Sequence, residues 1–316
     1  MVRHEFTFPS ADQKTAIHAV EWLPEGQPRA VLQISHGVAE YILRYEPLAV
    51  FLTERGFAVV GHDHLGHGSS VAPGGARLYF GPKGSWNWVV EDLHTRRTLA
   101  AAQFPDLPYF LLGHSMGSFL ARTYLIRHPG GLDGAILMGT GQMSPLLIAG
   151  GRAVAAVEGL RVGPEHSSPL VMALAFGTYN RIFAPNRTGF DWLSLSTDNV
   201  DRYIADPLCG ENPSIGLFWE MLGGLRFIAK PENLARMDLS LPVLFLSGEM
   251  DPVGDCGKGV RRAWESFRKA GVRDAELKLY PQLRHEILCE DCAETVFEDL
   301  FQWLTAHLPA ATGAKR

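Results

Sequence analysis

The chain has 316 residues, of which 46% are hydrophobic and 20% are charged, and its formal net charge at pH 7 is −5. This composition is typical of a globular protein with a large core, and the scattered Lys and Arg residues form no basic block of the kind that nucleic-acid binding would call for, so we expect no nucleic-acid partner. The sequence has neither a signal-peptide pattern at its start nor a run of about 18 apolar residues that would span a bilayer. We therefore expect a cytoplasmic protein without stable membrane insertion.

The first third of the sequence alternates strand-like and helix-like patterns. Its buried strands are continuous apolar runs rather than alternating ones, which is typical of parallel strands with both faces covered. The pattern therefore predicts an α/β protein with a doubly wound, mostly parallel sheet and helices on both faces. The predicted elements are a hairpin at 5–8 and 16–23, a strand at 30–35, a helix at 41–55, a strand at 57–61 and a helix at 86–104.

The alternation stops after a strand at 134–139 and resumes with a strand at 242–247. Residues 142–233 contain apolar, helix-like patches separated by Gly, Pro and Asn, without a convincing buried strand. We interpret residues 142–233 as an inserted helical cap, and this segment is called the cap below. The predicted core is then formed by residues 1–141 and 234–316. Its last elements are a helix at 257–270, a strand at 275–280 and a helix at 292–307.

The most informative segment reads G-H-S-M-G at 113–117, between a strand-like run at 108–112 and a helix-like run at 118–127. A strand that turns sharply into a helix presents the central serine in a strained, exposed position, and the flanking glycines allow the close backbone approach. The alternative is an ordinary glycine-rich turn with an inert serine. Because the motif occurs in this strand–turn–helix context, we interpret Ser115 as a candidate nucleophile.

A serine hydroxyl becomes reactive when a base takes its proton and a carboxylate orients that base. In a doubly wound sheet such groups lie beyond the carboxyl ends of strands. Asp251 lies four residues beyond the strand at 242–247, and His285 follows the strand at 275–280. This is the chain order Ser, Asp, His, so we predict these two residues as the other triad members. The competing candidates are Glu249 and Asp255 for the carboxylate and His307 for the base.

Acyl transfer also needs N–H donors for the negative charge that develops on the substrate oxygen. One donor is expected to be the backbone N–H of the residue after the nucleophile, Met116. The second is expected from the loop after the strand at 30–35, where Gly37 permits a tight turn that directs the Val38 N–H into the site.

A different constellation is formed by His62, Asp63, His64 and His67, which place three histidines and one aspartate within six residues. Such residues can bind a metal ion, but a metal site would need further His or Asp ligands at other strand ends. We favour a hydrogen-bonded turn beneath the serine loop, and we predict neither a metal nor a cofactor. The C-x-x-C at 289–292 has no second cysteine pair, so we interpret it as two free thiols.

Several of these segments together resemble one family. They are H-G-V-A-E at 36–40 with R-Y at 44–45, G-H-D-H-L-G-H-G-S-S at 61–70, G-H-S-M-G-S at 113–118, G-E-M-D-P-V at 248–253 and R-H-E at 284–286. The chain resembles the α/β-hydrolase superfamily, and within it the branch of monoacylglycerol lipases, lysophospholipases and serine aminopeptidase-like hydrolases. The resemblance covers nearly the whole chain, and the cap is its least similar part.

The resemblance implies an α/β-hydrolase fold in which Ser115 is the nucleophile, His285 the general base and acid, and Asp251 the residue that orients it. It implies that the N–H groups of Val38 and Met116 form the oxyanion hole. It also implies a structural rather than a metal-binding role for the turn that contains the histidines.

The same resemblance implies that Glu40 and Arg44 order a loop near the site. We expect Gly37, Glu40, Tyr41 and Ile42 to line the substrate on this side. Where the family often has E-H-S-G-R, this chain has E-Y-I-L-R ending at Arg44. Tyr41 and Ile42 are therefore expected to make this rim bulkier and more apolar than usual.

The leading hypothesis is a metal-free serine esterase that forms an acyl-enzyme with carboxylic esters of apolar acids. The expected substrate is a small, lipid-like ester, with monoacylglycerols or lysophospholipids first. The cap is expected to shield the acyl chain and to touch a membrane or micelle surface only transiently. No oligomeric state is indicated.

Two alternatives accompany this hypothesis. The first is amide or peptide hydrolysis by the same triad, as in aminopeptidase-like relatives. It predicts an acidic group in the cap that binds a substrate ammonium, for which Glu165 and Asp191 are available. The second is a non-catalytic α/β-hydrolase-like binding protein, which the presence of all three triad members disfavours.

Overall fold

A single sheet of eight strands forms the centre of the molecule in the computed structural model, which describes residues 1–309. The strands are β1 (Val2–Pro9), β2 (Ala16–Leu23), β3 (Ala30–Ser35), β4 (Phe57–His62), β5 (Tyr109–His114), β6 (Gly134–Met138), β7 (Val243–Gly248) and β8 (Ala275–Tyr280). Their spatial order is β1-β2-β4-β3-β5-β6-β7-β8. β2 pairs antiparallel with β1 and β4, and the other pairs are parallel. The predicted mostly parallel sheet is confirmed.

Helices cover both faces of this sheet. In chain order they are α1 (Glu46–Thr53), α2 (Trp86–Gln103), α3 (Met116–Arg127), α4 (Pro145–Val162), α5 (Pro169–Ala175), α6 (Thr197–Ala205), α7 (Ile215–Ile228), α8 (Pro231–Leu234), α9 (Lys258–Ala270) and α10 (Ala293–Ala306). Short 3-10 segments occur at Ile42–Tyr45, Tyr179–Phe183 and Asp191–Leu193. None of the helices within residues 1–309 combines the length and the apolar character needed to span a bilayer.

The core has two layers because successive side chains of a strand point to opposite faces of the sheet. In β5, Leu111 packs in the cluster that contains residues of α2, α3 and α9, whereas Phe110 and Leu112 pack in the cluster that contains residues of α1 and α10. Every residue of β5 is buried. This double burial explains why the strand reads as a continuous apolar run.

The helix predicted over 41–55 is wrong in its first part. Residues Ile42–Tyr45 form a 3-10 turn, and the α-helix begins only at Glu46. Pro47 stands in the first turn of α1. Proline has no N–H to donate to a preceding helical turn, and its ring collides with the carbonyl four residues earlier. Pro47 is therefore accommodated in the first turn of a helix, whereas a regular helix that starts at residue 41 would place it in the interior.

Between β6 and β7 the described chain contains helices and loops, and local sequence explains where they start. The Ser144 hydroxyl accepts the Leu147 N–H at the start of α4, and Pro145 follows it. The same Ser-Pro pair begins α5 at 168–169. A serine N-cap satisfies an N–H that the helix leaves free, and proline at the first helical position loses no bond. The boundaries of the cap at 142 and 233 stay a prediction, as does the extent of the core, whose residues 310–316 lie outside the described residues.

Candidate active site

Ser115 stands at the turn between β5 and α3 with a φ of 53° and a ψ of −122°. A non-glycine residue in such a conformation stores about 1–3 kcal/mol of backbone strain, which the surrounding structure must hold. The Ser115 N–H donates to the Met138 carbonyl (2.9 Å) and the Ser118 hydroxyl donates to the Ser115 carbonyl (2.6 Å). These bonds fix the turn, and the serine side chain faces a cavity.

Glycine is required on both sides of this turn. A Cβ atom on Gly117 would collide with the Ser35 carbonyl oxygen at the end of β3, and one on Gly113 would collide with the backbone of Gly117. The two glycines of the G-x-S-x-G pattern therefore allow α3 to pack closely against the sheet, and this packing brings the first turn of α3 beside the loop after β3.

Asp251 and His285 meet beside the turn because β7 and β8 are parallel neighbours whose following loops lie at the same edge of the sheet. His285 Nδ1 lies 2.9 Å from Asp251 Oδ2. The Asp251 side chain is fully buried and also accepts the Val253 N–H (2.9 Å) and the Ser247 hydroxyl (3.2 Å). These bonds fix the carboxylate so that it orients the imidazole.

The environment of His285 changes its basicity. Burial lowers its pKa, but the Asp251 carboxylate, through its charge and its hydrogen bond, raises it more, and the pKa lies above the ordinary 6.5. Glu286 and Glu40 act in the same direction. A base with a raised pKa takes a proton more readily, and it is in its neutral, proton-accepting form above that pKa.

Ser115 and His285 line the same cavity, and the ring of His114, the residue before the serine, lies 4.8 Å from the His285 ring. Within residues 1–309 no hydrogen bond joins the Ser115 hydroxyl to the imidazole. Hydrogen bonds between nucleophile and base are often long without substrate and shorten when it binds.

The loop after β3 lies against Ser115. A Cβ atom on Gly37 would lie 3.2 Å from the Ser115 Cβ, and both Val38 and Met116 line the cavity. Neither the Val38 N–H nor the Met116 N–H donates a hydrogen bond in the described part of the chain. The Met116 N–H belongs to the first turn of α3, where N–H groups have no acceptor within the helix. Both donors are therefore available to a ligand atom near Ser115.

Glu40 holds this loop in place. Its carboxylate accepts the Gly37 N–H (2.5 Å), the Tyr45 hydroxyl (2.9 Å) and an Arg44 N–H (2.7 Å), and it lies 3.2 Å from His114 Nδ1. Burial opposes ionisation of Glu40, but the contacts with His114 and Arg44 prevail and its pKa lies well below the usual range. A charged carboxylate is thus available to bind the loop.

Tyr41 and Ile42 occupy other places than expected. Ile42 is fully buried, and it packs so closely on Gly61 of β4 that a Cβ there would collide with it. The Tyr41 hydroxyl donates to Asp206 (2.7 Å) at the end of α6. Gly37 and Glu40 do line the cavity, whereas Tyr41 and Ile42 do not. The expected apolar rim is therefore corrected: the 3-10 turn directs Ile42 into the core.

The cavity beside Ser115 has a volume of about 1330 Å³. Most of its wall is apolar and comes from the cap. Among these apolar residues are Leu147, Val154, Val171, Met172, Phe176, Phe218, Met221 and Leu222. Polar groups on the wall include Glu40, His285 and Glu286. The cavity can thus enclose an apolar chain that ends at the serine.

The histidine-rich turn lies behind the loop after β3. The carboxylate of Asp63 accepts the Ile42 N–H (2.8 Å) and the Ser69 N–H (2.9 Å) and lies 2.9 Å from His18 Nδ1. The His64 N–H donates to the ring of His36 (2.9 Å). Asp63 thus bonds both to its own turn and to the loop after β3, and the turn anchors Ile42.

Sequence reasoning missed two residues that contact the site. Trp192, from the 3-10 segment at Asp191–Leu193, lies with its ring 5.2 Å from the His285 ring. Glu286 binds Arg44 and Asn199. The position of Glu286 directly after His285 was a usable signal, but no local pattern marks Trp192.

Comparison with known proteins identifies relatives over most of the chain. A family model described as serine aminopeptidase, S33, matches residues 26–292. A monoacylglycerol lipase of Mycolicibacterium smegmatis is 30% identical and covers 97% of this chain and 98% of its own length. A monoglyceride lipase of Mus musculus is 31% identical and covers 93% of this chain and 88% of its own length.

Comparison with solved structures also identifies an esterase and a lipase as similar proteins. A thermostable carboxyl esterase from Bacillus coagulans, determined in complex with glycerol, superposes with a TM-score of 0.89 at 30% identity and covers 97% of this chain and 99% of its own. A lipase in an open form has a TM-score of 0.86 at 29% identity and covers 98% of this chain and 100% of its own.

Proposed function

Because the chain belongs to the serine aminopeptidase S33 family of α/β-hydrolases, we propose that it hydrolyses monoacylglycerol-like esters with Ser115, His285 and Asp251 as its triad. That it is a carboxylic ester hydrolase follows from its relationship to monoglyceride lipases and a carboxyl esterase, and this removes the non-catalytic alternative. One observation supports this triad above all: Asp251 and His285 are in contact at 2.9 Å beside the strained turn of Ser115.

The reaction has two halves. The Ser115 hydroxyl attacks the ester carbonyl carbon while His285 Nε2 takes its proton, and the N–H groups of Val38 and Met116 bind the resulting oxyanion. Collapse of this intermediate breaks the bond to the alcohol, which takes the proton from the imidazolium and leaves an acyl-serine. Water then attacks the acyl-serine, His285 takes its proton, and the acid departs as Ser115 is regenerated. Loss of one oxyanion donor typically costs about 10²–10³-fold in rate.

The charges around the cavity favour an uncharged alcohol part. Arg262 is the guanidinium on the described wall and is paired with Asp255, whereas Arg44 is not part of that wall and is paired with Glu40 and Glu286. The buried carboxylates of Glu40 and Glu286 on the wall beside His285 repel a phosphate, and Arg262 already has an anionic partner. This supports a monoacylglycerol rather than a lysophospholipid, because the hydroxyl groups of a glycerol can donate hydrogen bonds to the carboxylates of Glu40 and Glu286.

The amide alternative requires an acidic cap residue in the cavity. Glu165 is not part of the described cavity wall, nor is Asp191, whose carboxylate accepts the N–H groups of Arg187 and Thr188. Glu211 lines the cavity but is paired with Arg77. No observation therefore favours an amine-binding site, and the ester reaction is preferred.

A transient contact with a lipid surface accompanies this proposal. The outer side of the cap exposes large apolar side chains on α4 and α5, among them Leu160 with 90% and Leu146 with 82% of its surface accessible. Leu146 also lines the cavity, so the exposed apolar surface continues to the substrate site. Clustered exposed apolar residues mark interaction sites. The cytoplasmic location stays a prediction.

The triad is tested with soluble p-nitrophenyl esters and a fluorophosphonate probe. Ser115→Ala should lower kcat by about 10⁴-fold or more and abolish labelling by the probe. Ser240→Ala, at an exposed serine before β7, should behave as the wild type. Hydrolysis or labelling at the wild-type rate in Ser115→Ala would exclude the assignment. The substrate proposal is tested with a panel of monoacylglycerols, lysophospholipids and aminoacyl amides, in which a preference for either of the latter two would overturn it.

A further inference from the structure

The imidazole of His285 packs against two aromatic rings. The His114 ring centroid lies 4.8 Å away with an interplanar angle of 38°, and the Trp192 ring centroid lies 5.2 Å away with an angle of 39°. His114 belongs to β5 and directly precedes Ser115, whereas Trp192 belongs to the cap. The cap therefore places an indole ring against His285, the proposed general base, in addition to lining the substrate cavity.

Trp192 is itself held firmly. Its backbone N–H donates to the Asn180 side chain (2.8 Å). Its ring stacks on Phe176 at 6.1 Å with an angle of 19° and meets the edge of Tyr179 at 5.1 Å with an angle of 64°. An aromatic side chain fixed by two further rings has little freedom to turn away from His285.

The cap segment that carries Trp192 is bonded to the loop that carries His285. Arg284 donates to the carbonyls of Asp191 and Ser194, the latter at 3.0 Å. The Glu286 N–H donates to the Leu193 carbonyl (2.8 Å). Both sequence neighbours of His285 are therefore bonded to sequence neighbours of Trp192, so the indole and the imidazole keep their relative position when other parts of the cap move.

An indole beside this imidazole has a chemical consequence. The face of an indole attracts cations, and the attraction grows where water is excluded. His285 is 3% exposed and becomes a cation when it takes the serine proton. Trp192 thus joins a set of charged and titratable groups around the His285 ring, which come from the elements packed beside it. These are Asp251 after β7, Glu40 after β3, His114 in β5 and Glu286 directly after His285, while Tyr179 of the cap is influenced by the charge of Asp251.

We propose that Trp192 is a positioning residue for ester hydrolysis: its indole holds the His285 imidazole toward Asp251 and Ser115 and stabilises the imidazolium formed during acyl transfer. The inference rests on the proposed triad. It assigns to the cap a role in proton transfer that is separate from binding of the acyl chain.

The test is the pH profile of kcat/KM with a soluble p-nitrophenyl ester. Trp192→Leu keeps an apolar side chain but removes the π face, and it should lower kcat roughly 5- to 30-fold and move the acid limb of the profile to lower pH. Trp192→Phe should give a smaller shift in the same direction, because phenylalanine is a weaker cation–π partner. Trp219→Leu is the matched control, since Trp219 is a half-buried cap tryptophan on α7 outside the described cavity wall.

The inference is overturned when Trp192→Leu keeps the wild-type acid limb, whatever happens to KM, or when Trp219→Leu shifts it equally. Should the leucine variant not fold, as judged by its melting temperature, the phenylalanine variant is judged by the same criterion. Ser115→Ala measured in parallel separates the two proposals. Full activity in Ser115→Ala removes the triad itself, whereas an inactive Ser115→Ala with an unshifted Trp192→Leu removes only the role of Trp192.

Discussion

Arg44 and Glu286 form a two-pronged ion pair, with Nη1 2.7 Å from Oε1 and Nη2 2.9 Å from Oε2. Arg44 also donates to Glu40 (2.7 Å), and Glu286 accepts from Asn199 of α6 (2.7 Å). One network thus connects the loop after β3, the residue after His285 and the cap. The three regions that surround the proposed reaction are held together by charge as well as by packing.

Glu286→Gln tests this network. The change leaves Arg44 with a single carboxylate, and weakening a buried charged hydrogen bond costs about 1–3 kcal/mol, so the free energy of unfolding should fall by that amount. Activity should fall as well, because the residue that follows His285 is then held less firmly to Arg44. The measurements are chemical denaturation and kcat.

Glu158→Gln is the matched control. Glu158 makes a similar two-pronged bond to Arg161 on α4 (2.9 and 2.8 Å), but that arginine is 62% exposed. Water screens such a pair, so this variant should change stability less. Equal losses in both variants would show that the network has no special role.

Asp251→Asn tests the carboxylate of the proposed triad. The amide cannot hold the imidazole in the required tautomer, so kcat should fall by about 10⁴-fold. The acid limb of the pH profile should also move to lower pH, because Asp251 is the main group that raises the pKa of His285 against the effect of burial. In the wild type this limb should lie above pH 6.5, the ordinary histidine value.

Asp255→Asn provides the control for that change. Asp255 is an exposed loop carboxylate paired with Arg262 (3.0 Å), so its loss should leave the pH profile unaltered. The reverse pattern, an active Asp251→Asn and an inactive Asp255→Asn, would transfer the role to Asp255.

Leu160→Glu tests the proposed lipid contact of the cap. Leu160 is 90% exposed on α4, and a charge there should weaken adsorption and lower hydrolysis of vesicle-bound monoacylglycerol roughly tenfold. Hydrolysis of a soluble short-chain ester should stay at the wild-type rate. Leu99→Glu, at a 40% exposed position on α2, should affect neither substrate. Equal losses on both substrates in Leu160→Glu would point to misfolding rather than to a lipid contact.

The buried histidines predict a loss of stability in weak acid. Burial lowers the pKa of His62 and His67 to about 3, and it also lowers those of His36 and His64. Below pH 6.5 the unfolded chain binds protons that the folded chain excludes, so the free energy of unfolding should decrease as the pH falls from 6.5 toward 3. The expected slope is up to about 1.4 kcal/mol per pH unit for each histidine.

His62→Phe removes one of these titrating groups, so it should reduce the slope by up to about 1.4 kcal/mol per pH unit. Both ring nitrogens of His62 are buried without a hydrogen-bond partner in the described structure, so the replacement removes two unsatisfied polar atoms and should be tolerated at pH 7. Chemical denaturation at several values between pH 5 and 7 gives the slope. His166→Phe, at an exposed side chain of the cap, should leave the slope unchanged, and an unaltered slope in His62→Phe would contradict the prediction.

Local sequence patterns were sufficient to predict the strands of the sheet and the turn at Ser115. Apolar runs identify strands that are buried on both faces, and the glycines at 113 and 117 mark a contact with β3 that only glycine permits. Local patterns failed at Ile42, where the apolar residue was assigned to the surface of the site and in fact fills the space above Gly61. The type of residue does not reveal which way a turn points its side chain.

The sequence by itself determined the order of strands and helices, the strained serine turn and the residue types that can carry out acyl transfer, because each depends on neighbours within a few positions along the chain. Only the tertiary structure decided that Trp192 lies on His285, that Glu286 binds Arg44 and that the Tyr41 hydroxyl binds Asp206. These contacts join segments far apart in the chain, and their geometry depends on how loops from separate strands and from the cap pack at one edge of the sheet.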